Sequence, residues 1–292
     1  MTAIPFSPKD ISAVVCTMNS ISGIERCLQS LRKAGIGEII VVDANSNDGT
    51  REIAEKFADQ VLTDPGTGLG RARNVGIAAS SKALILNMGS DNVMPTGELE
   101  NMIDALIKGD YQGVSAQTRI EGQDYASQGL NAWRSGRFRP GRVAVIGTPT
   151  LFRGELLRAH PYNPERRFSD DSELCERWTN MFGARFAISD AYVLEIGKTS
   201  WAEVAVRCRM YGVSDEEVFT YGVQQGWSTS RRLKSIAHPA KVDLFEPLIR
   251  LDLRDAVKAA PFLAAFTTMR YAAWGSTAVR KKLGRHKSDD NG

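Results

Sequence analysis

Ile39-Ile40-Val41-Val42-Asp43-Ala44-Asn45-Ser46-Asn47-Asp48-Gly49-Thr50 decides the architecture. Four β-branched apolar residues in a row leave no polar face, the mark of a strand covered on both sides of a sheet. The acid at its end leads into a run of Asn, Ser, Asp and Gly that reads as a turn. Asp48 and Thr50 can then cap a helix over 51–58. The same phrase recurs along the chain. Ile11–Cys16 is apolar and β-branched, and Ile24, Leu28 and Leu31 follow at helical spacing, ending near Gly35. Val61-Leu62 precedes a helix over Leu69–Ala79. Ala83–Met88 runs into Gly89-Ser90-Asp91-Asn92, and a helix over 94–108 follows Pro95. Strand and helix alternating without hairpin signals predict an α/β fold with a doubly wound, mostly parallel sheet flanked by helices. Ligands in such sheets bind beyond the carboxyl ends of the strands, where Asp43 and Asp91 stand.

Further on, Gly113–Arg119 reads as a strand. Between 121 and 142 the pattern loosens, and Arg134, Arg137, Arg139 and Arg142 crowd around Gly136, Pro140 and Gly141 as in a solvated loop. Val143–Phe152 regains strand character, Asp171–Phe182 is helical, Phe186–Leu194 is a strand, and from 200 onward the chain reads as helical. The expected organisation is a domain over 1–212, a C-terminal helical appendage over 213–279 packed on it, and a basic, disordered tail over 280–292.

The composition, 42% hydrophobic and 24% charged, is that of a globular protein. Cys16, Cys27, Cys175 and Cys208 have no zinc or CxxC spacing, so buried free thiols in a reducing, cytoplasmic setting are expected. The opening MTAIPFSPKD lacks a basic segment followed by an apolar one, so no signal peptide is read there. Residues 280–292 hold five Lys/Arg against two Asp; removed from totals of 37 and 34, they leave 32 of each. The +3 excess therefore lies in the tail. A nucleic-acid enzyme more often spreads basic surface over its fold, and no nucleic-acid partner is expected.

Asp170-Asp171, preceded by Phe168 and followed by Glu173-Leu174-Cys175-Glu176-Arg177, is the third acidic station. Alone, two acids opening a helix merely favour its dipole. With Asp43 and Asp91 they suit a cation, a nucleotide diphosphate and a base gathered in one crevice.

The ordered set TMN, VVDANSNDGT, GLGRARNVGIAAS, LNMGSDN and SDDSELCERW, from about Ile11 to about Gly212, resembles the family-2 inverting glycosyltransferases of the GT-A fold. The resemblance implies transfer of a single sugar from a nucleotide-diphosphate donor, a UDP-sugar first, to a hydroxyl acceptor on a sugar or a lipid-linked sugar. Asp171 takes the place of the general base and Asp170 that of its neighbour. Thr17, Asn19, Asp43, Ser90 and Arg71 fall on the nucleotide side, with Asp43 against the base. Asp91 matches the last acid of a D-x-D motif and implies Mg²⁺ or Mn²⁺. Gly89 stands where the first acid of that motif would be, and Glu195 where the family has a His, as a further oxygen donor. Arg71 and Arg73 lie i, i+2, so one helix face cannot present both; Arg71 is assigned to the donor phosphates, while Arg73 is left to pair with a structural acid. Gln224-Gln225-Gly226-Trp227 lacks the Arg of processive members.

Ile249, Leu253, Ala256, Val257, Ala260, Leu263 and Phe266 recur at helical spacing, and Pro261 should start a second helix or kink the first. The longest uncharged run, Ala259–Met269, has 11 residues, against ~20 for a membrane span. These helices form either a flap over the sheet edge or an interfacial pair. In the second case Phe262, Phe266, Tyr271 and Trp274 meet lipid, residues 280–287 meet anionic headgroups, and the enzyme is peripheral on the cytoplasmic face of a membrane. Arg137 and Arg139 are then expected to hold a phosphorylated acceptor. Two rival readings are a nucleotidylyltransferase, which would want a Gly-rich signature with Lys near the first strand, and a non-catalytic carbohydrate-binding relative.

Overall fold

The computed structural model describes residues 6–64, 66, 68–165, 170–197 and 200–289. The chain divides into two compact units, a sheet unit of residues up to 119 plus 139–197, and a helical unit of residues 120–138 plus those from 198 onward.

The sheet unit opens with a short 3-10 turn and β1 (Ile11–Thr17), followed by α1 (Ile24–Lys33), β2 (Glu38–Asp43), α2 (Thr50–Phe57), β3 (Gln60–Thr63), α3 (Leu69–Ala79), β4 (Leu84–Gly89), β5 (Asn92–Val93), α4 (Glu98–Lys108) and β6 (Gly113–Ile120). After α5 (Tyr125–Arg137), which belongs to the helical unit, it resumes with β7 (Gly141–Val143), β8 (Thr150–Arg153), α6 (Gly154–Ala159), α7 (Asp170–Phe182) and β9 (Phe186–Glu195). Among the described residues the sheet has nine strands in the order β3-β2-β1-β4-β8-β6-β9-β5, with β7 also paired to β9. The half from β3 to β4 is parallel, as the strand–helix alternation predicts. From β4 to β8, and at β6–β8, β5–β9 and β7–β9, pairing is antiparallel, so the sheet is mixed and not parallel throughout.

Alternate strand residues serve two cores. Ile11, Ala13, Val15, Ile39, Val41, Leu84 and Leu86 pack with Leu28 and Leu31 of α1 and Leu99, Met102 and Leu106 of α4. Val14, Val42 and Ile85 face the other way, onto Ala72 and Ile77 of α3 and Leu174 and Trp178 of α7. Burial on both faces explains why these strands read as unbroken apolar runs. Helix α3 lies close to the sheet because Gly76 has no side chain: a Cβ there would come within 2.4 Å of Val14 Cγ1. That closeness sets the depth at which Arg73, one turn earlier, enters the unit.

The helical unit contains α5, α8 (Trp201–Gln224), α9 (Thr229–Ala240), a π-turn over Lys241–Phe245, α10 (Glu246–Arg250) and α11 (Leu253–Asp289). Its core is Leu130 and Trp133 of α5, Val204 and Cys208 of α8, and Phe262, Leu263 and Phe266 of α11. Helices α8 and α11 approach backbone to backbone at Gly212, where a Cβ would lie 2.6 Å from Arg270 O. Asp243, with no exposure, accepts from Trp133 Nε1 at 3.0 Å, Arg137 Nη1 at 2.6 Å and Arg270 Nη1 at 2.6 Å. Arg270 also grips Asp215 with Nε and Nη2, at 2.6 and 2.7 Å.

Several expectations are corrected here. Residues 125–137 are helix, not a Gly/Pro loop, and they join the C-terminal helices. The division between units falls at 119, 139 and 197 rather than at 212. Helix α11 continues through Pro261 and through most of the segment expected to be a disordered tail, as far as Asp289. Residues 290–292 lie outside the described residues. Phe262 and Phe266 are fully buried and so do not face lipid, and Tyr271 donates its hydroxyl to Ile236 O at 2.6 Å. No helix among the described residues is long and apolar enough to cross a membrane.

Candidate active site

Strand register assembles the first part of the site. Thr17 stands beside Asp43 across β1–β2, and Cys16 beside Gly89 across β1–β4, so three carboxyl ends share one edge. The loops leaving them are tied together. Asn19 N donates to Ser46 Oγ at 2.9 Å, and Asn19 Oδ1 accepts from Asn47 N at 3.0 Å. Ile21 N donates to Asp48 Oδ2 at 3.0 Å, Ser20 N to Thr50 Oγ1 at 2.8 Å, and Ser90 Oγ to Ser20 Oγ at 3.0 Å. Asn19 and Asn45 hold left-handed φ values of 49° and 53°, a conformation that asparagine tolerates better than most residues. The residues expected on the nucleotide side, Thr17, Asn19, Asp43 and Ser90, thus stand on one cross-linked edge. Asp43, however, is closed inward: it has no exposure, and it accepts from Ser46 Oγ at 2.5 Å and Ser46 N at 3.1 Å. It holds the turn in this structure rather than presenting itself to a base. Thr17 Oγ1 is buried there with no hydrogen-bond partner among the described residues.

The second part is carboxylate-rich. Antiparallel pairing sets Glu195 of β9 opposite Asn92 of β5, and Ile196 N donates to Asp91 O at 2.8 Å. The two acids expected to meet a cation are therefore neighbours at one strand end. Asp91 Oδ1 accepts from Asn92 Nδ2 at 3.0 Å, and Glu195 is buried. Both supply hard oxygen donors, which suits Mg²⁺ or Mn²⁺ better than a soft metal. Among the described residues no three His, Cys, Asp or Glu side chains converge as metal ligands.

The third part is centred on Arg73. Its Nη1 donates to Asp170 Oδ2 at 2.7 Å and to Asp171 Oδ1 at 3.1 Å, and its Nη2 to Thr148 Oγ1 at 2.6 Å. Its guanidinium also lies over the Tyr162 ring, 5.0 Å from the centroid. Tyr162 O–H donates to Asp171 Oδ1 at 3.2 Å and accepts from Asn87 Nδ2 at 3.1 Å. The Tyr162 backbone is clamped by Asn74, whose Nδ2 donates to its carbonyl at 2.8 Å and whose Oδ1 accepts its N–H at 3.0 Å. Asp171 Oδ1 is thereby occupied by two donors. Its Oδ2 has no hydrogen-bond partner among the described residues and faces Gly147, where a Cβ would be 4.0 Å away.

Burial pushes the Asp171 carboxyl above its ordinary range; Arg73 opposes the rise, while the Asp170 charge adds to it. Burial, and then the Asp171 charge, push the Tyr162 phenol well above its ordinary value, so it stays protonated and donates. Burial works against the Arg73 charge, but Asp171, Tyr162 and Asp170 outweigh it and raise its pKa, so it stays a cation. One open carboxylate oxygen of raised basicity, fixed at its other oxygen, can accept a proton from a hydroxyl.

Arg73 pairs with acids, as expected, but those acids are the candidate catalytic pair. Arg71 is exposed and donates through Nε to Pro164 O at 3.1 Å, whereas Arg73 enters the centre of the acidic pair. Their i, i+2 spacing does separate them onto different faces. Tyr162, Thr148 and Asn87 are residues of the site that the sequence did not single out. Arg137, expected on the acceptor side, is committed to Asp243 inside the helical unit. Arg139 is exposed, at the start of the returning segment of the sheet unit. Phe168 lies outside the described residues.

The family profile described as "Glycosyl transferase family 2" matches residues 12–192. Among curated relatives, the glycosyltransferase AglJ of Haloferax volcanii is 27% identical over 104 residues, 35% of this chain and 34% of that one. The succinoglycan biosynthesis protein ExoO of Rhizobium meliloti is 25% identical over 257 residues, 83% of this chain and 67% of the relative. The chain spans about a third of the length of the first curated relatives it matches. Among solved structures, the mannosyltransferase PcManGT of Pyrobaculum calidifontis, in complex with GDP-Man and Mn²⁺, is similar with a TM-score of 0.60 and 18% identity, covering 95% of this chain and 88% of that one. S. aureus TarS 1–349, in complex with UDP-GlcNAc, has a TM-score of 0.53 and 16% identity over 94% of this chain and 92% of that one. At such identities the two structures establish the GT-A architecture and nothing finer.

Proposed function

The chain belongs to glycosyl transferase family 2, and on that premise we propose that it moves one hexose from a nucleotide-diphosphate donor to a hydroxyl acceptor with inversion, Asp171 acting as general base. The carrying observation is the single open oxygen of Asp171, beside a saturated Oδ1. The acceptor hydroxyl gives its proton to Oδ2 as it attacks the anomeric carbon from the side opposite the leaving group, which inverts that centre. Asp170 keeps Arg73 paired when Asp171 becomes neutral, so the guanidinium is never left alone in a buried place.

Thr17, Asn19 and Ser90 would line the nucleotide, and Asp43 would have to open from Ser46 to reach a base. Arg71 would lie toward the donor phosphates. Asp91 with Glu195 would hold Mg²⁺ or Mn²⁺, and the metal would neutralise charge on the leaving diphosphate. A mannosyltransferase neighbour bound to GDP-Man and Mn²⁺ and a second neighbour bound to UDP-GlcNAc support a nucleotide-sugar donor, UDP-sugars being the first to try. The similarity to a succinoglycan biosynthesis protein supports a cell-envelope or lipid-linked glycan acceptor. Action on the cytoplasmic face of an anionic membrane fits such an acceptor. Family membership sets aside the nucleotidylyltransferase reading.

The test is release of nucleoside diphosphate from a panel of UDP-, GDP- and dTDP-sugars, with and without Mn²⁺, in the presence of glycan acceptors. The anomeric configuration of the product is read by NMR. Retention of configuration would refute the assignment of Asp171, and binding without turnover for every donor would favour the non-catalytic reading.

A further inference from the structure

Tyr162 and Asn87 have no part in the reading above, yet both are buried and lie directly behind Asp171. Tyr162 is 1% exposed, far more enclosed than a residue meant to touch substrate. Its hydroxyl is held from two sides. A carboxylate only accepts, so the phenolic proton points to Asp171 Oδ1 at 3.2 Å. The hydroxyl oxygen is then free to accept, and Asn87 presents its NH₂ to it at 3.1 Å. Asn87 is anchored in β4, the central strand that also carries Gly89 toward Asp91. The tyrosine main chain is fixed by two bonds to Asn74 of α3, the helix that carries Arg73. The chain of contacts therefore runs from a rigid strand, through a phenol, to one oxygen of the base.

We propose that Asn87 and Tyr162 are positioning residues for the transfer reaction: through a directed hydrogen bond to Asp171 Oδ1 they aim Oδ2 at the acceptor hydroxyl. The inference rests on the reading of Asp171 as base. Arg73 alone does not fix that carboxylate, because it gives Asp171 a single hydrogen bond, from Nη1 to Oδ1, its other bonds going to Asp170 and Thr148, and one bond leaves a carboxylate free to turn about it. The second donor, approaching from the Tyr162 side, removes that freedom. Both donors also stay useful after proton transfer, since Oδ1 of the neutral acid still accepts while Oδ2 carries the proton.

The experiment compares Tyr162→Phe, Asn87→Leu and Asp171→Asn for kcat, for donor dissociation constant by calorimetry, and for the pH profile of kcat/KM. Tyr162→Phe should lower kcat by about ten- to a hundredfold, the usual scale for a misplaced reacting group, and leave donor affinity within about twofold. Its acid limb should move to higher pH, because a carboxylate that loses a donor holds its proton more tightly. Asn87→Leu should move kcat and the limb in the same directions by less. A purely structural role would lower the melting temperature without moving the limb. If Tyr162→Phe fails to fold because Asn87 is left unpaired, the double variant Asn87→Leu/Tyr162→Phe removes both partners and carries the same readouts. Unchanged kcat and an unmoved acid limb in a folded Tyr162→Phe or double variant overturn the proposal. With Asp171→Asn inactive in the same assays, that result leaves the base assignment standing; with Asp171→Asn active, the base assignment itself falls.

Discussion

Asp171→Asn removes a proton acceptor while keeping the shape of the side chain. The amide oxygen can take the two donors that Oδ1 takes now, Tyr162 O–H at 3.2 Å and Arg73 Nη1 at 3.1 Å. The amide NH₂ then falls where Oδ2 stands, toward Gly147, where even an added Cβ would keep 4.0 Å. Arg73 keeps its 2.7 Å bond to Asp170, so the buried guanidinium remains paired. What disappears is one lone pair able to take a proton. General bases contribute about 10²–10⁴ in rate, or about 2.7–5.4 kcal/mol of barrier at 1.36 kcal/mol per tenfold. The expected result is a fall in kcat of that size at saturating donor, with the donor dissociation constant unchanged. Activity within about threefold of wild type would refute the assignment, since 10² is the low end of what a base supplies.

The same substitution has a consequence for stability. The folded state raises the Asp171 pKa, chiefly by burial, so it binds that proton more tightly than the unfolded chain does. Ionisation of Asp171 therefore costs stability above the folded pKa, and the cost is relieved as pH falls through it. The permanently neutral asparagine escapes this cost. Thermal unfolding should find the variant at least as stable as wild type at neutral pH, with the difference shrinking on acidification. A difference that grows as pH is lowered would contradict the sign.

Gly89→Asp should strengthen Mn²⁺-dependent binding of nucleoside diphosphate in calorimetry, because a Cβ at 89 would stand 2.9 Å from Asp91 Oδ1, the end of a side chain that can shift; equal metal enhancement in both proteins would place the cation elsewhere. Arg137→Ala should lower unfolding free energy by about 1–3 kcal/mol in denaturant titration, by taking a charged donor from buried Asp243, and should leave acceptor KM unchanged. A raised acceptor KM at full stability would restore the acceptor-side role expected from its sequence position. Burial pushes the Cys16, Cys175 and Cys208 thiols up to about 12 and Cys27 higher still, so native protein at pH 8 should resist alkylation that goes to completion in denaturant. Fast labelling of the native protein would contradict these enclosed sites.

The parallel half of the sheet and the acids at its edge were legible because their causes are local. Val14 and Val15, or Val41 and Val42, face opposite cores and must all be apolar. The same register that buries them delivers Asp43 and Asp91 to one end. Helix α5 was read as a loop for an equally physical reason. Gly136 looks like punctuation, but it and Gly129 each mark a close approach: a Cβ at 129 would lie 2.2 Å from the Phe262 ring and one at 136 would lie 2.5 Å from Pro247 Cα. The partners that make glycine necessary come more than a hundred residues later. Arg73 was expected to meet an acid, but which acid was not legible, since Asp170 and Asp171 are 97 and 98 residues away. Nothing in the sequence around Tyr162 signals that its hydroxyl reaches Asn87 and Asp171. Charge in the arginine cluster suggested an anion site, whereas Arg137 answers an acid, Asp243, that read as one more helical residue.

The insertion of α5 into the helical unit bears on how the protein is made. Strands β7, β8 and β9 follow α5 in the chain, so synthesis completes the sheet unit at Glu195 before α8 or α11 exists. Leu130 and Trp133, fully covered by late helices in the finished protein, must wait without them. At 5–20 residues per second, the roughly 130 residues from Trp133 to Phe266 take on the order of ten seconds to emerge. During that interval α5 holds Leu130 and Trp133 without the later helices that cover them in the finished protein, a natural point of engagement for a chaperone. A chain truncated after residue 197 would keep that helix uncovered permanently and should aggregate, whereas one that also lacks residues 120–138 is freed of that particular hazard.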